Sequence, residues 1–351
     1  MEHIHIVGVL AAIMGIVLLL PLFSKRIEEE LEGFLFVMGV VSVSVAGLWS
    51  WHLVLTTLEE PLAITAAVLA AGLLFKATCS KITAMTHAMV DKLGMRVVLV
   101  FLITGLGLLS SVITAVIAAL ILAEITSSFT LSRDIKIRIV VIGCFAIGLG
   151  AVLTPLGEPL STIAVSKLAG EPYHAGFLFL FKLLGIWVIP AVAAMGVLAA
   201  IMVSPKHVDH TIVAHQHDSL RDVFMRALRV YIFVMGLLLL GTGISPIVDE
   251  YISNVPPDVL YWINIVSAAL DNATLTAAEI STTLSEDAIR NLLLGLLISG
   301  GILIPGNIPN IICANKLKIK SKEWAALGVP LGLAMMVIVF MLLILLRTPG
   351  K

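Results

Sequence analysis

The chain is built from apolar runs that are each long enough to cross a lipid bilayer. The first extends from residue 4 to 22, and similar runs follow along the 351 residues. About 20 apolar residues in a helix span the hydrocarbon core of a membrane. Hydrophobic residues make up 59% of the chain, and the mean hydropathy is +1.08, which is too apolar for a water-soluble fold. The sequence therefore predicts an all-α polytopic membrane protein.

Charge, cysteines and motifs exclude several classes of function. The formal net charge is −1, so no basic field indicates nucleic acid as a partner. The three cysteines lie far apart and contain no CxxC pair, which indicates neither a disulfide framework nor a zinc site. No HExxH or Walker motif and no nucleophile–base pair is present. We therefore expect no enzyme and no resident cofactor, and the lipid bilayer is the first partner.

The apolar runs and their flanking charges predict the order of the early elements. We expect three spans, an amphipathic interfacial helix and a longer apolar stretch, at 4–22, 33–50, 60–76, 78–94 and 96–131. Basic residues flank the last stretch on both sides, so the positive-inside rule makes both its ends cytoplasmic. This favours a re-entrant hairpin that opens inward, with its tip near Ser110 and Ser111. Two short complete crossings satisfy the same charges.

Two later spans are interrupted by proline and glycine. The span at about 138–166 contains LTPLGEPLST, and the span at about 288–314 contains ILIPGNIPNII. Two prolines and a glycine within a few residues cannot continue a helix, because proline lacks the N–H donor and clashes with a preceding carbonyl. Irregular backbone at membrane depth is tolerated only where it is buried in protein or lines a cavity. Polar residues within the two interruptions are Thr154, Glu158, Asn307 and Asn310.

A polar segment, SAALDNATLTAAEI, lies inside the otherwise apolar stretch 258–284. Acidic residues flank this stretch at both ends, which favours a hairpin entering from outside. A carboxylate at membrane depth persists mainly where it pairs, faces a cavity or carries an ion, so Asp271 is a site candidate. If the following residues are helical, Asn272, Thr276 and Glu279 share one face. Alternatively, Asp271 only caps the helix and Glu279 lies at the membrane surface.

The interruptions and the hairpins before them predict an inverted repeat. At one constant offset the prolines align, as Pro155 and Pro159 with Pro305 and Pro309. LAEI also aligns with AAEI, so that Glu124 matches Glu279. Paired interrupted helices in inverted halves point to a secondary transporter with its site at the repeat interface, and they favour alternating access over an open channel.

This repeat divides the chain into two halves and a linker. The first repeat is expected at 1–203, with three spans, the interfacial helix, the inward-opening hairpin, a broken helix and a span. The linker at 204–226 is cytoplasmic and His-rich, and the shorter second repeat at 227–347 has a span, the outward-opening hairpin, a broken helix and a span. Both termini then lie outside the cell membrane.

The linker concentrates histidines, at His207, His210, His215 and His217. Histidine titrates near neutral pH and binds metals, so a pH sensor or a weak metal site is conceivable. A solvated loop is the plainer interpretation, because the spacings match no ligand motif.

The pairing of SAALDNATLTAAEI with the following GGILIPGNIPN resembles the ion transporter superfamily, especially its NhaD-type sodium/proton antiporters and ArsB-type carriers. GAVLTPLGEPLSTI is a weaker copy of the second motif, and the first hairpin has SSVITAVIAAL where those antiporters show a second Asp-Asn pair. The resemblance implies a divergent prokaryotic branch of cation transporters and a homodimer. It also implies a sodium site lined by Asp271, Asn272, Thr274, Asn307 and Asn310.

On this basis the expected function is sodium/proton antiport by alternating access. Neutral oxygens of the Asn and Thr residues coordinate sodium, and Thr154, Ser110 and Ser111 are candidates from the first half. A carboxylate supplies the charge and takes up a proton when sodium leaves. The candidates for this role are Asp271, Glu158, Glu279 and Glu124.

The alternative function is a sodium-coupled carrier of an organic or inorganic anion, such as a dicarboxylate or an arsenite-like solute. Half-helix N-termini and hydroxyl groups bind anions. The hydroxyl candidates are Ser110, Ser111, Ser161 and Thr162. Buried carboxylates argue against this function because they repel such a substrate.

Overall fold

A computed structural model describes residues 2–24, 26–27, 30–203, 220–251, 255–268 and 272–346. This part of the chain is all-helical. In chain order its helices are α1 (Glu2–Phe23), α2 (Leu31–Ala46), α3 (Trp51–Leu93), α4 (Met95–Ile113), α5 (Ala115–Ser128), α6 (Arg133–Ala151), α7 (Pro159–Lys167), α8 (Phe179–Met202), α9 (Leu220–Tyr251), α10 (Pro257–Ile263), α11 (Asn272–Glu279), α12 (Glu286–Gly300), α13 (Ile308–Leu317) and α14 (Ser321–Leu345). Two 3₁₀ segments, Asn264–Ala268 and Ile304–Gly306, complete them. The histidines of the predicted linker lie outside the described residues.

Among the residues that the structure describes, four stretches of helix are long and apolar enough to cross a bilayer by length and composition. They are α4, α8, α14 and the segment Val223–Pro246 of α9. Large apolar side chains on them face outward; Phe101 is 65% exposed and Ile186 is 79% exposed. Such surfaces are unfavourable in water and suit a lipid environment. The chain is therefore a helical membrane protein.

The third helix, α3, is one continuous helix of 43 residues. The predicted break between a span at 60–76 and a separate helix at 78–94 is therefore absent. Polarity changes between those two segments, but no residue there breaks a helix, since the one proline in α3 is Pro61. The helix begins where the Ser50 hydroxyl accepts a hydrogen bond from the Leu53 N–H at 3.1 Å.

Helices α4 and α5 form a hairpin that turns at Thr114. The φ of this residue is 75°, which is rare for a β-branched side chain. Its hydroxyl accepts a hydrogen bond from the Ile117 N–H at 3.4 Å and caps α5. The predicted tip near Ser110 and Ser111 is thus one turn too early, because both serines lie in the last turn of α4.

Helices of the two halves interleave in the core. α5 of the first half packs along α13 of the second, and α11 of the second half packs along α7 of the first. Each of α5 and α11 therefore contacts the helix that follows the interruption of the other half. The wholly buried residues Ala118, Ala119 and Leu122 belong to this core.

Two contacts show which ends of the helices lie together. Arg133 at the start of α6 donates to both carboxylate oxygens of Glu323 at the start of α14, at 2.7 and 2.8 Å. At the other end of the bundle, the Tyr173 hydroxyl donates to the Leu284 carbonyl oxygen. Burial and the nearby Glu286 raise the pKa of the Tyr173 hydroxyl. The loop after α7 and the loop before α12 are therefore neighbours.

Candidate functional site

The first interruption lies between Ala151 and Pro159 and is tied to the hairpin of α4 and α5 by hydroxyl groups. Thr154 donates to the backbone oxygen of Ser111. Ser110 donates to the Gly107 carbonyl oxygen at 2.6 Å and lies 3.0 Å from that of Ile147. The hydroxyl protons of Ser110 and Thr154 are thus engaged with backbone. A hydroxyl oxygen has two lone pairs; one on Thr154 accepts from the Leu156 N–H at 3.3 Å, and the other can face a cation.

Backbone groups close the loop of this first interruption. The Gly157 N–H donates to the Thr154 carbonyl oxygen at 3.2 Å. The Ser161 hydroxyl donates to the Ala151 carbonyl oxygen at 3.3 Å. The Gly157 carbonyl oxygen accepts from the first N–H of α5, on Ala115, at 2.9 Å. The hairpin turn therefore docks directly on the interruption.

The second interruption, between Gly300 and Ile308, repeats this backbone pattern. The Gly306 N–H donates to the Leu303 carbonyl oxygen at 3.3 Å, and the Asn310 amide donates to that of Gly300 at 2.8 Å. Asn310 thus occupies the place of Ser161 in the first interruption. The two interrupted helices have the same local structure, although their side chains differ.

The hydrogen bonds also correct the alignment of the two interruptions. Glu158 and Asn307 are the residues that precede α7 and α13, with φ of −158° and −156°. A proline follows one residue after Glu158 but two residues after Asn307, at Pro159 and Pro309. The predicted alignment of prolines was therefore wrong by one residue. Backbone position, not proline identity, defines the correspondence.

Glu158 and Asn307 lie at equivalent positions of the backbone. Glu158 is 8% exposed. The Asn307 side chain lies against α6, because a β-carbon at Gly148 would be 3.0 Å from its Nδ2 atom. Asn307 of the second half therefore reaches the helix that precedes the first interruption.

Backbone carbonyl oxygens converge at the second interruption. A β-carbon at Gly306 would lie 2.5 Å from the Gly300 oxygen and 3.0 Å from the oxygens of Ser267 and Ala268. Only glycine fits there. Carbonyls at the ends of broken helices lack helical amide partners, and such carbonyls coordinate sodium in transporters. We call these three oxygens, with Gly306, the carbonyl cluster.

Buried amide and hydroxyl groups adjoin the carbonyl cluster. Asn272, the first residue of α11, lies against Gly300, where a β-carbon would be 2.4 Å from its Nδ2 atom. Among the described residues, neither amide atom of Asn272 nor Oγ1 of Thr276 has a hydrogen-bond partner. Asn310 donates to Gly300 and Leu303, both at 2.8 Å, while its Oδ1 accepts no bond from any described group. Buried polar atoms without partners are costly, so this region is suited to binding a ligand.

Two predicted ligands cannot be placed in this geometry. Asp271 lies outside the described residues, as does the side chain of Thr274. Asn272 and Asn310 are brought together at the second interruption, where both contact Gly300. Ser110, Ser111 and Thr154 are brought together at the first.

The two acidic residues that the sequence aligned have different partners. The Glu124 carboxylate of α5 pairs with the Lys316 ammonium of α13 at 2.7 Å, and the two side chains are 8% and 11% exposed. The Glu279 carboxylate of α11 instead accepts a hydrogen bond from the Asn264 amide at 3.0 Å. A lysine therefore balances the charge of Glu124, whereas Glu279 is hydrogen-bonded by a neutral amide.

Sequence reasoning missed three polar residues behind the carbonyl cluster. The Ser299 hydroxyl donates to the Asn264 carbonyl oxygen at 2.7 Å and lies 2.7 Å from the hydroxyl of Ser267. All three residues are at most 1% exposed. Asn264 interrupts the apolar run YWINIVS, and this is the same signal that identified Asn272.

A cavity of about 180 Å³ lies at the start of α10 and α12. Its polar lining includes Asp258, Asp287, Arg290 and Asn291. The Asn291 amide donates to the Asp258 carboxylate at 3.3 Å, and Arg290 pairs with Asp287 at 2.6 Å. We call this space the polar cavity.

A family described as "Protein of unknown function (DUF1646)" matches residues 7–346. The match includes both interruptions, the hairpin of α4 and α5, and the polar segment that contains Asn272. No curated protein matches the sequence.

Proposed function

The chain belongs to the DUF1646 family, and we propose that it is a secondary active cation transporter that exchanges sodium for protons by alternating access. The observation that carries the proposal is the carbonyl cluster with its neighbours Asn272 and Asn310. It offers several neutral oxygens inside an apolar protein. Hard cations such as sodium are held by oxygen ligands of this kind.

A cation in such a site needs a negative charge nearby, because burying an unbalanced charge is unfavourable. Asp271 directly precedes Asn272 and supplies that charge in our proposal, with Glu158 as the candidate from the first half. Sodium and a proton then compete for binding to the protein. A transporter that is loaded alternately with sodium and with a proton produces exchange.

Alternating access follows from an inverted arrangement of the two halves, which we propose on the basis of the flanking charges and the two similar interruptions. The contacts of α5 with α13 and of α11 with α7 support this arrangement. In such a protein one hairpin opens inward and the other outward, and they move around a site near the middle of the membrane. The resemblance to sodium/proton antiporters of the ion transporter superfamily supports the same function.

The anion-carrier alternative is less well supported by the geometry. The hydroxyl groups of Ser110, Ser111 and Thr162 donate to backbone oxygens at 2.6 to 2.8 Å, so their protons are not available to an anion. The N-termini of α7 and α13 carry Pro159 and Pro309 in their first turns. Proline has no N–H to offer to an anion.

Flux measurements on reconstituted liposomes test the proposed function. With a pH-sensitive dye inside, an external sodium pulse is expected to make the interior of wild-type liposomes more alkaline, because protons leave as sodium enters. Asp271→Asn keeps the shape of the side chain but removes the charge, and we expect the rate to fall by at least about tenfold, equivalent to about 1.4 kcal/mol.

Pulses of lithium, potassium and calcium give the ion selectivity, and Glu59→Gln serves as the control, since Glu59 is exposed on α3. An unchanged rate in Asp271→Asn would remove that carboxylate from the mechanism. If the wild-type protein gave no pH response to any of the four cations, sodium/proton exchange would be ruled out, and uptake of labelled dicarboxylate or arsenite would be measured next.

A further inference from the structure

Glu279 is a buried carboxyl group held by an amide. It is 8% exposed at the end of α11, and Asn264, which is 1% exposed, donates to its Oε2 atom at 3.0 Å. The second carboxyl oxygen, Oε1, is buried and receives no hydrogen bond from the described groups, and the same holds for Oδ1 of Asn264. Two buried acceptor oxygens thus lack donors in one small region.

Among the described residues, the charged groups around α11 do not compensate Glu279. α11 packs against α7, α9 and α12, whose described ionisable side chains are Lys167, Arg221, Arg229, Tyr231, Glu286, Asp287 and Arg290. None of them forms an ion pair or hydrogen bond with Glu279. Arg290 instead pairs with Asp287 and Glu286, at 2.6 and 3.3 Å, and Arg229 lies 3.8 Å from Glu32.

The contrast with Glu124 shows what this environment implies. Glu124 is equally buried, but a lysine faces it at 2.7 Å, so its charge is balanced within the protein. A buried carboxyl group without such a cation is stabilised by binding a proton, because low dielectric disfavours the charged form. A protonated carboxyl group also gains an O–H donor, which is what the acceptor oxygens of this region lack.

Asn264, which donates to Glu279, lies along the chain between Asp258 of the polar cavity and Ser267 of the carbonyl cluster. On one side, the Asn264 carbonyl oxygen accepts from Ser299, whose hydroxyl contacts that of Ser267 at 2.7 Å, and the Ser267 carbonyl belongs to the carbonyl cluster. On the other side, Asp258 of the polar cavity precedes Asn264 by six residues, or about 9 Å along a helix.

Contacts with α12 place the same two regions side by side. The Asn264 amide lies 3.4 Å from the Leu292 carbonyl oxygen, and the adjacent residue Asn291 contacts Asp258 in the polar cavity. The polar cavity and the contact of Asn264 with Glu279 therefore adjoin neighbouring residues of α12, and polar groups continue from Asn264 through Ser299 and Ser267 to the carbonyl cluster.

We propose that Glu279, positioned by Asn264, is a proton-binding site that is separate from the sodium site and exchanges its proton through the polar cavity. The proposal rests on the proposed sodium/proton exchange and assigns the proton to a different residue from the one that balances sodium. Sodium binding at the carbonyl cluster displaces the proton of Glu279, which is connected to the cluster through Asn264, Ser299 and Ser267. Asn264 acts as a positioning residue.

Proton release on sodium binding tests this assignment without requiring transport. Purified protein in weakly buffered detergent solution is given sodium, proton release is followed with a pH indicator, and binding of radioactive sodium is measured in parallel. The wild-type protein is expected to release protons. Glu279→Gln is expected to bind sodium within about twofold of wild type while its proton release falls by at least about tenfold.

Each outcome decides between the alternatives. Loss of both sodium binding and proton release in Glu279→Gln would make Glu279 part of the sodium site, and retention of both would show that another group carries the proton. Either result overturns the proposal. If the wild-type protein released no protons with any cation, the proposed sodium/proton exchange would be excluded. The wild-type measurement gives this result before any variant is compared.

Two further variants serve as a control and as a substitute for Glu279→Gln. Glu59→Gln, an exposed acid on α3, is expected to match the wild type in both measurements. If Glu279→Gln does not fold, Glu279→Asp replaces it: the shorter carboxyl group cannot keep the same contact with Asn264, so proton release is expected to persist with a changed pH midpoint. An unchanged pH profile in Glu279→Asp would overturn the assignment.

Discussion

Gly306→Ala is expected to lower the affinity for sodium and to slow exchange. The new β-carbon would stand 2.5 Å from the Gly300 oxygen and 3.0 Å from two further carbonyl oxygens, so backbone must move. Overpacking of this kind costs about 1–3 kcal/mol. If this free energy is lost from sodium binding, the affinity for sodium drops by about 5- to 150-fold. The affinity is measured by binding of radioactive sodium to purified protein.

Gly105→Ala is the matched control. Gly105 lies within α4, and a β-carbon there would have no neighbour within 4 Å. Alanine is about 1 kcal/mol more favourable than glycine in a helix, so this variant is expected to keep its sodium affinity and to gain stability slightly. Equal sodium affinities in the two variants would show that the carbonyl cluster does not hold the cation.

Glu124→Ala is expected to destabilise the protein strongly, because Lys316 then keeps its charge in a buried place after losing the carboxylate at 2.7 Å. Removing one partner of a buried ion pair costs about 3–5 kcal/mol. The thermal unfolding temperature in detergent, followed by helical circular dichroism, is therefore expected to fall clearly below that of the wild type.

Two controls show whether the cost comes from the unbalanced charge. Arg133→Ala removes the exposed pair with Glu323, whose side chains are 50% and 30% exposed, and such surface pairs contribute only about 0–1 kcal/mol. The double variant Glu124→Leu with Lys316→Met removes both charges and is expected to recover most of the lost stability. A double variant as unstable as Glu124→Ala would contradict this explanation.

The elements with strong local signals were predictable from the sequence. Apolar runs indicated the membrane helices, and proline with glycine indicated both interruptions, because these residues act on the backbone at their own positions. The turn at Thr114 was not predictable in the same way. A threonine at positive φ has no characteristic sequence pattern, and the turn docks on a residue distant in sequence, through the bond from Ala115 to Gly157.

Partners distant in sequence were the part that sequence reasoning could not supply. Lys316 belongs to a basic run that indicated a cytoplasmic end, and nothing in the sequence linked it to Glu124 on another helix. The polar residues of SAALDNATLTAAEI were identified because each is unfavourable in an apolar setting. Asn264 carries the same signal, and it was missed because its segment was read only as part of a hairpin.

The interleaving of α5 with α13 also determines when the native core can form during synthesis. The buried face of α5, which includes Ala118 and Leu122, is covered by a helix that ends at Leu317. Ribosomes add about 5–20 residues per second, so roughly 10 to 40 seconds pass between the synthesis of α5 and that of α13. The first half is therefore made and inserted long before it can be completed, and it reaches its final packing only when nearly the whole chain has emerged.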